Sequence, residues 1–342
     1  MKIAFHHNPG SFSERWIEYC KLNNIAFKLV NCYNSDIIKQ LEECDGLMWH
    51  WSHTDFKSMQ FARQLTYSLE TSGKKVFPDA ATVWHFDDKV GQKYLLEAIG
   101  APLVPSYVFY DKKEALDWAK KVNYPKVFKL KVGAGSRNVW LVHDFRTAKR
   151  LIKKSFTHGF LLSDPLLELK DRYAKFLIKK DKLGFVRLLK GLGRLVIKSP
   201  FQKSNLREKD YAYFQEFIPG NTFDLRVVTI GLRAFVLKRM VRPGDFRASG
   251  SGTILYPGNE VDPAIIKLSF ETTDKLHAQC LAFDFVFDNK GQSYIVEISY
   301  AFSMLAYDKC MGYWDKGLEW HPESVNAPLF MIEDFIESLK SR

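Results

Sequence analysis

A parallel α/β lobe followed by a mixed α+β body is the fold class this sequence predicts, and three observations predict it. Residues 1–80 alternate short apolar runs with helix-period segments, as parallel βαβ units do. The second half gives up that alternation for strand-like segments joined by Gly- and Asn-containing turns, the pattern of antiparallel pairing. The length, 342 residues, exceeds what one hydrophobic core usually serves and provides for two or three lobes around a cleft.

In the N-terminal part, Lys-Ile-Ala-Phe-His-His reads as strand, 13–22 as helix, Ala-Phe-Lys-Leu-Val-Asn as strand and 35–44 as helix. Gly-Leu-Met-Trp-His-Trp is the next strand, 55–71 the next helix and Lys-Lys-Val-Phe-Pro the fourth strand. Right-handed crossovers between such strands build a small Rossmann-like lobe spanning residues 1–85, with ligands beyond the carboxyl ends of its strands. Those ends carry His6, His7 and Asn8 and the run Trp49, His50, Trp51, Ser52 and His53, which are candidate acceptor contacts and equally ordinary loop residues. His50 and His53, at i, i+3 with no third ligand close in sequence, are a weak basis for a metal site.

Residues 87–100 read as a helix stopped by Gly100, before the extended Ala-Pro-Leu-Val-Pro-Ser-Tyr-Val-Phe-Tyr. A helix over 112–122 follows, then two strands around a glycine-rich turn within 127–142, and a helix over 144–155. Helices near 164–180 and 182–192 form a basic insertion at about 156–210 within the second domain, residues 86–342. Phe-Gln-Glu-Phe-Ile-Pro-Gly, Phe-Asp-Leu-Arg-Val-Val-Thr-Ile-Gly, Arg-Ala-Phe-Val-Leu-Lys-Arg-Met-Val, Phe-Asp-Phe-Val-Phe-Asp and Gln-Ser-Tyr-Ile-Val-Glu-Ile-Ser-Tyr then read as one antiparallel sheet. A last helix near 327–339 packs back on the body.

An apolar content of 46% with 26% charge is that of a soluble globular protein, and no run is long and apolar enough for a membrane-spanning helix. The short apolar N-terminus runs into His, Asn and Pro, unlike a secretory signal, so the expected location is the cytoplasm. Five scattered cysteines with no CxxC pair read as free thiols, and nothing near Cys310 marks it as a nucleophile. Of the net charge of +11, the window 170–209 supplies +10, from thirteen Lys or Arg against three Asp or Glu. Such a block suits an anionic substrate, a phosphorylated lipid carrier or peripheral contact with an acidic membrane face, and equally a solvated helical surface. With few aromatic residues and no recognised motif, it predicts no specific nucleic-acid binding.

Two constellations carry chemistry. Lys129 stands on a strand just before Gly133, Gly135 and Ser136, where flexible backbone lets N–H groups approach phosphate oxygens that the lysine neutralises. The segment is not the Walker sequence, and a tight hairpin with incidental lysines is the plain alternative. Asp284 and Glu297 lie on strands of a predicted hairpin that sets them side by side, a pairing suited to hard magnesium ions that also take phosphate oxygens. Their combination with the lysine and the glycine turn is what distinguishes them from structural acids.

In this order the motifs resemble the ATP-grasp superfamily over roughly residues 77–302 apart from the basic block, and 215–252 is most similar to RimK-like carboxylate-amine ligases. The resemblance implies a two-subdomain ATP-grasp module after the Rossmann-like lobe. Phe-Pro-Asp-Ala-Ala-Thr-Val-Trp-His-Phe-Asp-Asp-Lys matches the start of the family's central domain and makes Lys89 its first lysine. Tyr-Pro-Lys-Val-Phe-Lys-Leu makes Lys129 the nucleotide-phosphate lysine, and Gly-Ala-Gly-Ser-Arg-Asn-Val, with Gly133, Gly135 and Ser136, the mobile glycine loop. Gln215, Glu216, Phe217 and Ile218 resemble the hinge that contacts adenine, partly through backbone groups. Asp224 is implied near the ribose or cleft wall, Arg239 near the reacting phosphate and Arg247 near the acyl phosphate or substrate carboxylate, with Arg226 bracing the hinge. The family's metal motif E-x-N becomes Glu297-Ile-Ser299, so Ser299 offers a neutral oxygen on a shorter arm and leaves one or two magnesium ions open.

The resemblance implies an ADP-forming carboxylate-amine ligase that takes ATP and Mg2+, phosphorylates a carboxylate and joins it to an amine. A small-molecule, anionic sugar or peptide partner is expected, with a cell-envelope or sugar precursor preferred for the basic block. The alternatives are an ATP-grasp kinase that stops after phosphoryl transfer, and a nucleotide-binding protein without turnover, which Ser299 favours. Tyr313, Trp314, Asp315, Trp320 and His321 read as an acceptor wall or as packing.

Overall fold

The computed structural model describes residues 1–52, 55–133, 138–162, 169, 172–173, 176, 186, 188–193, 207–242, 244–250 and 252–341. Gly135, Ser136, His53, Ser251 and most of the basic insertion, including its expected helices, lie outside them. The chain divides into two compact units, one made of 1–53, 57–104 and 218–342, the other of 105–217 with the short stretch 54–56.

The first unit opens with β1 (Lys2–His6), α1 (Ser13–Leu22), β2 (Ala26–Val30), α2 (Ile37–Gln40), β3 (Gly46–Met48), α3 (Phe56–Thr71) and β4 (Lys75–Phe77). The four strands pair in parallel in the order β2-β1-β3-β4. The helix expected over 35–44 is shorter than predicted, because the Gln40 carbonyl accepts from Lys28 Nζ at 2.9 Å and the chain then closes in turns. Two short helices, α4 (Ala80–Val83) and α5 (Lys89–Ala98), follow, each capped by an aspartate side chain: Asp79 accepts from Thr82 N and Asp88 from Gly91 N.

The second unit contains β5 (Ser106–Phe109), α6 (Lys112–Lys121), β6 (Lys126–Lys129), β7 (Val139–Val142), α7 (Phe145–Ser155), β8 (Phe160–Leu161), β9 (Arg207–Glu208) and β10 (Ala212–Glu216). Its main sheet, β5-β10-β6-β7, is antiparallel throughout. The Phe-Gln-Glu-Phe strand therefore belongs here and not, as expected, with the later strands. Both edges of β10 are bonded, to β5 and β6, so it has no free edge to offer another sheet.

The chain returns to the first unit with β11 (Phe223–Ile230), β12 (Arg233–Met240), β13 (Ile254–Leu255), α8 (Pro263–Lys275), β14 (Cys280–Phe287), β15 (Ser293–Ser299), α9 (Met304–Tyr307), β16 (Tyr313–Asp315), β17 (Trp320–His321) and α10 (Ala327–Lys340). These strands form a seven-stranded antiparallel sheet, β15-β14-β11-β12-β16-β17 with β13 added on β12. The β11–β12 turn needs Gly231: its φ is +53°, and a Cβ there would lie 2.2 Å from Asp334 Oδ2.

Alternation along those strands sorts the residues onto two faces. Leu225 and Val227, Ala234 and Val236, and Leu281, Phe283 and Phe285 enter one core with Ile265, Ile266 and Phe270 of α8. Val228 and Ile230, Phe235 and Leu237, and Cys280 and Ala282 enter another, shared with Phe5, Trp16, Trp49 and Trp51 of the parallel sheet and its helices. The parallel lobe and the antiparallel sheet thus share one hydrophobic core. The last helix, α10, completes it with Met331, Ile332 and Phe335 and packs on α1, as expected.

Candidate functional site

On the face shared with the parallel lobe, each central strand turns from apolar to charged along its length. Strand β11 runs from Ile230 and Val228 to Arg226 and Asp224, β12 from Phe235 and Leu237 to Arg239, and β14 from Cys280 and Ala282 to Asp284. Register then fixes the neighbours. Asp224 faces Arg239, Arg226 faces Asp284, and Asp284 faces Glu297 of β15 across an irregularity between Asp284 and Phe285.

The side chains pair accordingly. Arg226 grips Asp284 with Nε on Oδ1 at 2.5 Å and Nη2 on Oδ2 at 2.7 Å. Arg239 holds Asp224 through two bonds of 2.7 and 2.5 Å, and its Nη2 also reaches Asp284 Oδ2 at 2.8 Å. Lys89, the first residue of α5, places Nζ 3.2 Å from Glu297 Oε1. That placement rests on Gln92, which donates to the Ile298 carbonyl at 2.9 Å and accepts from its N–H at 3.1 Å, clipping α5 to β15.

Burial opposes ionisation of Asp284, yet Arg226 and Arg239 overcome it and hold the carboxyl well below the usual carboxylate range. For Asp224, burial and the charge of Asp284 push the other way, raising its pKa against the pull of Arg239 and Arg226. Burial of Lys89 is outweighed chiefly by Glu297, so the ammonium is held charged.

Whether this donor set suits a divalent cation follows from its unused oxygens. A carboxylate has about four acceptor positions, and the arginines take three contacts on Asp284. Among the described residues, Glu297 has a protein partner on Oε1 only. Two carboxylates on facing positions fit a hard, oxygen-seeking ion such as Mg2+. Ser299 does not fit as well, because its hydroxyl donates to the Ala301 carbonyl at 3.0 Å and accepts from the Ala301 N–H at 3.2 Å within its own turn.

The second unit carries a different polar cluster. One face of its four-stranded sheet is apolar, with Phe109, Phe128, Val142, Ala212 and Phe214 packed on Ala115 and Ala119 of α6 and Ala148, Leu151 and Ile152 of α7. The alternate residues present Lys129, Gln215, Tyr213 and Ser106 on the other face. Lys129 Nζ donates to Gln215 Oε1, the Gln215 amide donates to Ser106 Oγ at 3.0 Å, and Tyr213 donates to the same oxygen at 3.0 Å. All four are buried. Lys126, three residues before Lys129, falls on the opposite face and pairs with Glu216 at 2.7 Å, which also accepts from Tyr107.

The other expected residues are placed as follows. Phe217 ends the second unit and Ile218 begins the return to the first. Gly133, with φ +129°, is the last described residue before 134–137. Arg247 lies in the loop after β12, where Asp245 accepts from its Nε at 2.9 Å and Nη2 at 2.7 Å and from the Phe246 N–H at 2.8 Å. Arg242 closes that loop by donating to the Ser249 carbonyl at 2.8 Å.

At the carboxyl ends of the parallel strands, His6 Nδ1 accepts from Cys32 N, His50 Nδ1 accepts from Phe12 N, and the His50 ring stacks on Phe12 at 3.7 Å. Both histidines thus serve the lobe's own backbone. Burial pushes the Cys310 thiol up to about 12, which disfavours the thiolate at neutral pH. Trp314 is packed in the core beside Trp320, and Tyr313 stacks on His321.

Sequence reasoning missed Gln92, Ser106, Tyr213 and Asp245. Gln92 lies one helical turn beyond Lys89 and Asp245 two residues before Arg247, so a local signal existed for both. Ser106 and Tyr213 enter by strand register from more than a hundred residues apart, which no local pattern carries.

No protein-family model matches the chain. Among curated proteins it resembles the alpha-aminoadipate–LysW ligase LysX of Saccharolobus solfataricus, at 23% identity over 233 residues, 68% of this chain and 67% of that protein. Among solved structures it resembles a RimK-domain ATP-grasp protein of Sphaerobacter thermophilus, with a TM-score of 0.55 and 16% identity over 98% of this chain and 100% of that one. It also resembles the D-alanine–D-alanine ligase of Bacillus anthracis, solved complexed with ATP, with a TM-score of 0.57 and 12% identity over 100% of this chain and 98% of that one. The chain has the ATP-grasp fold, and its similarity to RimK-like ligases, expected from the order of its motifs, is borne out.

Proposed function

We propose that this protein is an ADP-forming carboxylate-amine ligase that uses ATP with magnesium. The observation that carries the reading is the cross-strand pairing of Asp284 with Glu297, with Arg239 2.8 Å from the former. Magnesium held by these two carboxylates would neutralise phosphate oxygens. Lys89, Lys129 and Arg239 spread the charge of the transferring phosphoryl group, which develops on its oxygens with little covalent help from the protein. An oxygen of the substrate carboxylate attacks the γ-phosphorus and ADP leaves. The amine then attacks the acyl carbon, phosphate leaves with the bonding pair, and the nitrogen loses a proton. Arg247 holds the acyl phosphate or substrate carboxylate, and Gly133, Gly135 and Ser136 cover the phosphates. Gln215, Glu216, Phe217 and Ile218 contact adenine, and Asp224 lies by the ribose.

In this reading residues 1–85 form a Rossmann-like lobe and 86–342 a two-subdomain ATP-grasp module with a basic insertion at about 156–210. The insertion favours an anionic acceptor, such as a sugar or peptide precursor of the cell envelope, and peripheral contact of a cytoplasmic enzyme with the membrane's inner face. Among the described residues no helix is long and apolar enough to cross a membrane. One observation favours a nucleotide-binding protein without turnover instead: the Ser299 hydroxyl is spent on Ala301.

The test is ADP release with Mg2+ against pooled amino acids and carboxylic acids, followed by mass analysis. Release that requires both a carboxylate and an amine, with a condensed product, supports ligation. A phosphorylated single substrate supports a kinase, and nucleotide binding without any ADP supports the inactive reading.

A further inference from the structure

We infer that the β16–β17 hairpin carries a metal site of its own, in which Asp315, Glu319 and His321 bind a zinc-class divalent cation. The inference goes beyond the ligase reading and stands on the hairpin alone.

Sequence and register bring the three donors together. Trp314 and Trp320 pair across the hairpin and pack into the core beneath α8. Alternation therefore sends Tyr313, Asp315, Glu319 and His321 to the opposite face. The turn closes on the same residues: Asp315 N donates to the Glu319 carbonyl at 3.0 Å, and Glu319 N donates to Asp315 Oδ1 at 2.9 Å. The other oxygen, Oδ2, faces His321 Nε2 at 2.9 Å. The imidazole lies flat against Tyr313, with ring centroids 5.0 Å apart and planes 12° from parallel, so packing sets its direction. One ligating atom from each of the three side chains lies within 4.8 Å of the other two.

Those spacings suit one ion. With metal bonds of about 2.0–2.2 Å, neighbouring ligands stand about 3–3.5 Å apart, and the His321–Asp315 pair is already close to that span. The cation takes the place of the hydrogen between Nε2 and Oδ2, and the ring keeps its proton on Nδ1. Glu319 is exposed, and rotation of its side chain closes the rest of its gap. A turn held by Asp315 Oδ1 alone gives the Glu319 carboxylate no task, and among the described residues that carboxylate has no hydrogen-bond or ion-pair partner.

Charge and donor type then choose the ion. Two carboxylates supply the two negative charges that a divalent cation needs. Among the described residues no lysine or arginine pairs with either, and the adjacent Lys316 pairs instead with Asp274 of α8 at 2.7 Å. An imidazole donor favours zinc, cobalt or nickel over magnesium, which prefers oxygen ligands and sheds water reluctantly. Side-chain exposures of 33% for Asp315 and 34% for His321 leave the ion a way in and room for water as a further ligand. The site is separate from the Asp284–Glu297 pair. Asp315 stands opposite Arg233 of β12, and Arg239, which contacts Asp284, lies on the order of 20 Å further along that strand.

The experiment titrates the full chain with CoCl2 in a large excess of MgCl2, following the visible absorption of cobalt and the heat of binding. The expected result is one cobalt ion per chain that magnesium does not displace and ZnCl2 does. His321→Gln and Glu319→Gln should each weaken cobalt binding by at least ~10-fold, whereas Glu297→Gln should leave it unchanged. Absence of cobalt binding in excess magnesium overturns the inference. So does cobalt affinity that neither hairpin variant changes, which would place the ion on another histidine, or affinity that Glu297→Gln abolishes, which would place it at the other acidic pair. Should His321→Gln unfold, Glu319→Gln, at an exposed position, decides alone. None of these outcomes bears on ADP release, so the inference and the ligase reading fail separately.

Discussion

The two polar clusters of this chain are built on antiparallel sheets of opposite character. In the seven-stranded sheet, charge is matched by charge, with carboxylates and guanidinium groups locked in bidentate pairs. In the four-stranded sheet the Lys129 ammonium donates to the neutral amide of Gln215, itself held by Ser106. The difference teaches that the two sheets hold their buried cations by different means. A hydrogen bond to a neutral amide contributes modestly, whereas removing one partner of a buried ion pair is costly.

Breaking the acidic pair is the sharpest way to test that division. Glu297→Gln keeps the shape and removes the charge, and turnover should fall by at least ~1000-fold, since metal stabilisation of the transferring group is worth several kcal/mol. Steady-state ADP release across a Mg2+ series checks it, and activity within tenfold of wild type would contradict the metal assignment. Lys129→Met should cost less, about 10- to 100-fold in kcat/KM for ATP, the range for a hydrogen bond to a charged group. Its loss should lower kcat as well as kcat/KM, while the Mg2+ dependence stays as in wild type. Identical Mg2+ profiles for the two variants would erase the distinction between the clusters.

Much of this was legible in the sequence because it rests on local patterns. Asp284 and Glu297 were paired from a strand, a turn and a strand, and the register bears that pairing out. Lys129 was singled out from its place before the glycine turn, and strand alternation puts it on the polar face, whereas Lys126 falls on the other face with Glu216. What escaped was set by distance along the chain. Nothing near residue 106 says that its hydroxyl will meet Gln215, and nothing near β10 says which sheet it will join. The ion-pairing of Asp284 by Arg226 was hidden for the same reason, being fixed by the β11–β14 register across 58 residues. Arg226 read as a brace for the hinge and proves to be a direct partner of the acidic pair.

Acid should distinguish the units as well as the clusters. His85 is fully buried in the first unit, with neither ring nitrogen hydrogen-bonded among the described residues, and burial together with Arg63 lowers its pKa to about 4. An imidazole whose folded pKa lies below its ordinary value of about 6.5 binds fewer protons folded than unfolded. Its contribution is therefore fully present above about pH 6.5 and is lost as pH falls towards 4. Urea unfolding should show the first unit losing about 2–3 kcal/mol between pH 6.5 and 4.5, and His85→Leu should flatten that slope. A wild-type slope retained in the variant would place the titration elsewhere.

The smallest effect is expected at Ser299, and its smallness is informative. If the hydroxyl were a metal ligand, removing it would weaken the acidic pair's hold on the ion and shift the Mg2+ dependence of turnover. Its two bonds to Ala301, at 3.0 and 3.2 Å, argue that it shapes the end of β15 instead. Ser299→Ala should then leave turnover within about twofold and reduce stability by about 0.5–1.5 kcal/mol, the net worth of an intramolecular hydrogen bond. A Mg2+ requirement raised tenfold with unchanged stability would reverse the assignment and make the serine a working third ligand. Ser299→Asn extends the same test: a side chain long enough to pass beyond its own turn should tighten the metal only if an ion sits within its reach.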